Sequence, residues 1–122
     1  MLYYKLVDAK DGKKVKNYYL TQGDTFPSQL KITDKNKNIL TPEVIDKVLF
    51  KLSDLEFNLQ YQQQYEYNSE IQRWVLEVDS VETKTWSLET HMYEYEITYK
   101  GGRVSTPVQA KFTVTDEIKE GE

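Results

Sequence analysis

Few residues of this chain have types and spacing suited to chemistry. His91 is its one histidine and cysteine is absent, which excludes a two-histidine metal site, a thiolate site and a cysteine nucleophile. A histidine base also needs a partnered nucleophile. No serine stands in a G-x-S-x-G elbow, and no glycine loop is built to cradle phosphate. His91 therefore reads as an exposed or edge-capping residue. Glu94 and Glu96 stand two apart and share one face of a strand. A glycosidase pair would place such carboxylates across a cleft, one of them with its pKa raised by burial. Carboxylates are rarely buried, so this pair reads as a solvated face. Residues 34–38, D-K-N-K-N, copy the first half of a calcium loop. Ile39 stands where the glycine belongs, Ile45 stands where the bidentate glutamate belongs, and the lysines between repel a cation. That segment reads as a turn. No catalytic, cofactor-binding or metal-ligating residue follows from the sequence, and the chain reads as non-enzymatic.

The ten tyrosines are the more informative population. Tyr61, Tyr65, Tyr67, Tyr93 and Tyr95 share parity with aliphatic neighbours, which assigns most of them to the core or to the space between sheets. The Tyr3-Tyr4 and Tyr18-Tyr19 pairs differ, because one member of each must face outward from a regular strand. Tyrosine offers amphipathic contact area at low entropy cost and is enriched at protein interfaces. Tyr3, Tyr4, Tyr18 and Tyr19 are therefore the candidate interaction surface. The alternative use of exposed aromatic rings is stacking on sugar, as in a carbohydrate-binding module for host wall polysaccharide. That use needs a groove with at least two coplanar exposed rings.

The elements that must carry these residues are strands. In residues 92–114, Tyr93, Tyr95, Ile97 and Tyr99 alternate with Glu94, Glu96 and Thr98, the period of a half-buried strand. Gly101-Gly102 supplies the positive φ angles of a tight hairpin turn. Ala110, Phe112 and Val114 resume the alternation, with Pro107 marking an edge or a bulge. Further strands are expected over residues 2–7, 15–21 and from Phe26 to Ile32, Pro27 suggesting an edge position or an irregularity near the start. Thr41-Pro42-Glu43 has helix-start chemistry, so one helical turn is expected over 42–46 and a strand over 47–53. Residues 57–67 and 71–79 read as a hairpin turning at Asn68-Ser69, with Phe57, Leu59, Tyr61, Tyr65 and Tyr67 on one face. Residues 81–89 lack a period and cross between sheets. The count is about eight short strands with frequent turns, which predicts an all-β, immunoglobulin-like antiparallel β-sandwich.

The 122 residues fit one domain, expected to span 1–118 with 119–122 as a flexible tail or the start of a linker. A formal charge of −4 argues against a nucleic-acid surface. No apolar run approaches the ~20 residues that cross a bilayer, and the N-terminus lacks the layout of a signal peptide. These features fit folding in a cytosol, with no nucleic-acid or membrane partner.

Several motifs, taken in order, carry a resemblance. They are Gln22-Gly23-Asp24-Thr25-Phe26, Arg73-Trp74-Val75-Leu76, Tyr93-Glu94-Tyr95-Glu96-Ile97, Gly102-Arg103-Val104-Ser105-Thr106-Pro107 and Phe112-Thr113-Val114. Over residues 18–118 the chain resembles the N-terminal immunoglobulin-like domain of siphophage baseplate upper proteins, from phages and prophages of Gram-positive bacteria. The resemblance implies a virion structural module, made in the bacterial host cytoplasm, that docks a receptor-binding assembly onto the tail baseplate. It implies other baseplate or tail proteins as partners, and a homo-oligomer formed through parts further along a longer natural chain. It carries no catalytic motif and no cofactor.

Overall fold

The computed structural model describes residues 5–8 and 17–116. Their elements run β1 (Lys5–Asp8), β2 (Tyr18–Thr21), β3 (Phe26–Thr33), β4 (Ile45–Ser53), β5 (Leu59–Gln64), β6 (Glu66–Asn68), β7 (Arg73–Val78), α1 (Ser80–Thr83), β8 (Thr90–Tyr99) and β9 (Val104–Thr115). They form a four-stranded sheet in the order β1-β3-β7-β6 and a five-stranded sheet in the order β2-β9-β8-β4-β5. The expected β-sandwich is therefore present, with nine strands among the described residues. One pairing departs from the antiparallel scheme: β2 runs parallel to β9, with Tyr18 opposite Phe112 and Thr21 opposite Thr115. A short edge strand entering beside the last strand has no hairpin to dictate its direction. The start of the expected first strand and the tail 119–122 lie outside the described residues.

The β8–β9 hairpin follows the sequence closely. His91, Tyr93, Tyr95, Ile97 and Tyr99 point inward and are buried, while their neighbours are half-exposed. Gly101 and Gly102 take φ of 97° and 93°, and the Tyr99 amide donates to the Arg103 carbonyl at 2.8 Å. Between Tyr95–Ile97 on β8 and Val108–Ser105 on β9 the register slips by one residue. That bulge encloses Pro107, whose missing N–H is tolerated where the ladder is interrupted. Pro27 lies in an interior strand rather than at an edge. Its position pairs with Glu77 of β7, whereas β1 reaches only Leu30–Thr33 on the other side, so the missing donor faces a side that β1 does not cover. The Thr41 carbonyl accepts from the amides of Val44 and Ile45, closing a turn over 42–44, and β4 begins at Ile45, so Ile45 and Asp46 belong to the strand and not to the expected helical turn.

The expected 57–79 hairpin divides at Tyr65. Residues before it, in β5, pair with β4 of the five-stranded sheet; residues after it, in β6, pair with β7 of the four-stranded sheet. Parity alone did not reveal this, because Tyr61, Tyr65 and Tyr67 keep facing inward through the crossing. The Tyr65 hydroxyl shares a 2.6 Å hydrogen bond with Ser28 of β3, so the crossing point is tied to the opposite sheet by a buried polar contact. Between β7 and β8 the chain crosses back through α1, as its aperiodic sequence suggested. Asp79 caps α1 by accepting from the Glu82 amide, and Thr83, fully buried, donates to the Asp24 carbonyl at 2.8 Å.

The core is aromatic. Phe112 lies within 5.1–6.1 Å, ring centre to ring centre, of Tyr18, Phe26, Phe50, Trp86 and Tyr93. Phe26 belongs to one sheet and Phe50, Tyr93 and Tyr18 to the other, so this ring joins both layers. Many of the contacts are edge-to-face, the arrangement the ring quadrupoles favour. Phe112→Ala is expected to destabilise the fold by about 3–5 kcal/mol in urea unfolding; a loss below ~1 kcal/mol would show that Phe112 does not join the two layers.

Candidate functional site

The structure separates the two members of the Tyr18-Tyr19 pair. Tyr18 turns inward, its ring 5.2 Å from Tyr93 and 5.4 Å from Phe26, and its hydroxyl lies 3.3 Å from that of Tyr95. Tyr18 is thus half-buried with its ring packed against the core, which corrects its place on the candidate surface. Tyr19 faces outward on edge strand β2 with 75% of its surface exposed. Tyr3 and Tyr4 lie outside the described residues.

A second outward group was missed in the sequence. Phe57 and Leu59, expected to face inward, are 60% and 57% exposed, and Leu55 beside them is exposed as well. The cause is local geometry. Phe57 takes a positive φ of 65° in the β4–β5 turn, and the register slips between Leu52 and Ser53, so the parity extrapolated back from Tyr61 fails at the bulge. Phe57 and Leu59 line a shallow cleft of about 160 Å³ with Lys51, Ser53 and Glu94. Tyr19 on β2 and the β4–β5 turn lie at opposite edges of the five-stranded sheet, four strand spacings or about 19 Å apart.

His91 is corrected from exposed to buried, at 1% exposure. Its Nδ1 meets the Gln60 side-chain amide at 2.7 Å, and its Nε2 donates to the Ser87 carbonyl at 2.9 Å. With both nitrogens engaged, His91 ties β8 to β5 and to the loop after α1. The neighbouring Trp86 indole donates to Glu82 at 3.0 Å, and Gln22 donates to the Trp86 carbonyl at 2.7 Å. These bonds satisfy polar groups that the aromatic core would otherwise strand. Burial pushes the Tyr65 and Tyr95 hydroxyls well above the ordinary tyrosine range, leaving both as neutral hydrogen-bonding groups.

Glu94 and Glu96 lie on the outer face, as expected. Glu96 bonds Lys51 across the strands at 2.6 Å, and Gln109 donates to Glu94 at 3.3 Å. Among the described residues no three His, Cys, Asp or Glu side chains gather as a metal ion would require. The D-K-N-K-N segment is a turn. Asp34 Oδ1 accepts from the amides of Asn36 and Asn38, and Oδ2 accepts from the Asn38 side chain. Asp54 repeats the pattern with Glu56 and Asn58. In each loop the fourth residue, Lys37 or Phe57, takes a positive φ. The two D-x-x-x-N stretches are therefore one turn device used twice, at the ends of β3 and β4.

No family model matches the chain, and no curated protein matches it. Among solved structures it is similar to CopC from Methylosinus trichosporium OB3b, with a TM-score of 0.57 and 11% identity over 96% of this chain and 98% of that one. It is also similar to the fibronectin(III)-like modules of CbhA from Clostridium thermocellum, with a TM-score of 0.54 and 11% identity over the whole of this chain. The chain spans about half the length of that structure, 53%. These likenesses concern the fold, and the fold is an immunoglobulin-like β-sandwich.

The bonds to Asp34 and Asp54 hold both carboxyls below the ordinary value of 3.8, the Asn38 and Asn58 amides contributing most. The folded state therefore favours their charged forms. The stability they add is fully present above about pH 3.8 and is lost as pH falls through the depressed values. The double variant Asp34→Asn, Asp54→Asn is expected to be less stable near neutrality, yet to lose less between about pH 5 and pH 2 than the parent protein. Urea midpoints measured along that series test this, and parallel acid curves would contradict it.

Proposed function

We propose that this chain is a non-enzymatic structural module of a phage or prophage tail baseplate, docking a receptor-binding assembly by protein–protein contacts. The observation that carries the reading is the outward display of Tyr19 on an edge strand while its neighbour Tyr18 packs its ring against the core. A large exposed aromatic on a rigid strand suits an interface anchor, because little side-chain entropy is lost when a partner covers it. The internal commitment of His91 and the pairing of Glu96 with Lys51 and of Glu94 with Gln109 also favour a binding role over catalysis. The baseplate assignment itself comes from the ordered motifs between Gln22 and Val114. In this reading the protein is made in the host cytoplasm, resides in the virion and has other tail proteins as partners.

The test is binding of the purified chain to the products of the reading frames flanking its gene, with Tyr19→Ser as the variant. Affinity for one tail protein is expected to fall by at least ~10-fold at unchanged melting temperature, as for an interface anchor. Equal affinity of parent and variant would remove Tyr19 from the interface, and no binding to any flanking tail product would remove the baseplate reading.

A further inference from the structure

The free edge of β5 has a composition that sets it apart. Among the described residues β5 is the last strand of the five-stranded sheet, paired on one side only, with β4. The Tyr65 amide donates to the Val48 carbonyl at 2.8 Å, and in an antiparallel ladder bonded and non-bonded pairs alternate. Gln63 and Tyr61 are thus the β5 residues whose backbone groups turn toward β4. The N–H and C=O of Gln62 and Gln64 turn outward, and both side chains are exposed. Proteins ordinarily blunt such an edge with charge, proline or shortness. Among the other described edges, β1 carries Lys5 and Asp8, β6 carries Glu66, and β2 is four residues long. Residues 58–65, N-L-Q-Y-Q-Q-Q-Y, carry no charge and no proline in a chain that is 30% charged.

We propose that the β5 edge pairs antiparallel with β5 of a second copy of this chain, Gln62 opposite Gln62, merging two five-stranded sheets into one of ten strands. The register follows from the backbone. Outward-turned groups must meet outward-turned groups, so even-numbered residues oppose even-numbered ones. Centring on Gln62 places the two-fold within the regular stretch of β5 from Tyr61 to Gln64, with no like charges opposed. Glutamine amides both donate and accept, so identical side chains facing each other are self-complementary. A charged partner strand would find nothing on this edge to recognise, whereas a second copy brings the matching pattern. The contact is one strand wide and lies at the weak, reversible end of interface sizes. It is independent of the role proposed above and does not use Tyr19.

Sedimentation of the whole chain over a concentration series is the experiment. The parent protein is expected to show a reversible monomer–dimer equilibrium. Gln62→Pro removes only an outward N–H and spares the ladder to β4, so it is expected to raise the dimer dissociation constant at least ~10-fold, two backbone bonds being lost per dimer. Gln62→Glu and Gln62→Lys, each set against itself across the two-fold axis, are expected to be monomeric alone and to associate when mixed. Melting curves confirm that each variant is folded. A parent protein that stays monomeric throughout, a Gln62→Pro variant that dimerises like the parent, or a Glu and Lys mixture that stays monomeric would each overturn the proposal.

Discussion

Aromatic packing between the two sheets is the constraint on which the rest of the structure depends. In a chain of modest apolar content, the rings of Phe26, Phe50, Trp86, Tyr93 and Phe112 supply much of the inner layer. Tyrosine brings a hydroxyl wherever it brings a ring, and a buried hydroxyl needs a partner. The polar contacts follow from that need. Tyr65 meets Ser28 and Tyr18 meets Tyr95, while Trp74 and Trp86 donate from their indoles to Leu40 and Glu82. The first three of those pairings join segments at least 34 residues apart, and the Tyr65–Ser28 bond reaches across to the opposite sheet.

The same constraint explains which side chains are left outside. Parallel pairing puts Tyr18 beside Phe112, and the ring cluster takes it in, so alternation sends Tyr19 to solvent. Tyr65 must reach Ser28 in the opposite sheet, so β5 ends there and β6 begins on the other layer. That early ending leaves β5 an unshared edge, and the Gln63 side chain donates to the Glu77 carbonyl across the gap between layers. The outward surface is in this sense a by-product of how the tyrosines are satisfied within.

Much of the fold was legible because strand period and turn chemistry agreed. The alternation of Tyr93, Tyr95, Ile97 and Tyr99, the Gly101-Gly102 turn and the Pro107 bulge all lie where the sequence placed them. Thr41-Pro42-Glu43 likewise announced a turn, though β4 takes over at Ile45, two residues sooner than the helical spacing implied. What stayed hidden was non-local. The parity of Tyr61, Tyr65 and Tyr67 is unbroken across a change of sheet, so periodicity could not mark it. Phe57 and Leu59 follow the same parity but precede a bulge that reverses their facing. His91 looked peripheral because its partners, Gln60 and Ser87, come from a strand and a loop that sequence proximity does not join. Of the candidate surface, the sequence required one outward tyrosine in the Tyr18-Tyr19 pair; only the rings around Phe112 decide which.

Native-state hydrogen exchange resolved by residue tests most directly whether the inter-sheet aromatic cluster carries the fold. Amides that open only with global unfolding should come from β4, β8 and β9 around Phe50, Tyr93, Tyr95 and Phe112. The outward amides of β5 should exchange far faster than those of Tyr61 and Gln63 under dilute conditions. Strongest protection in β1 and β6, with β8 and β9 opening at lower free energy, would contradict the account.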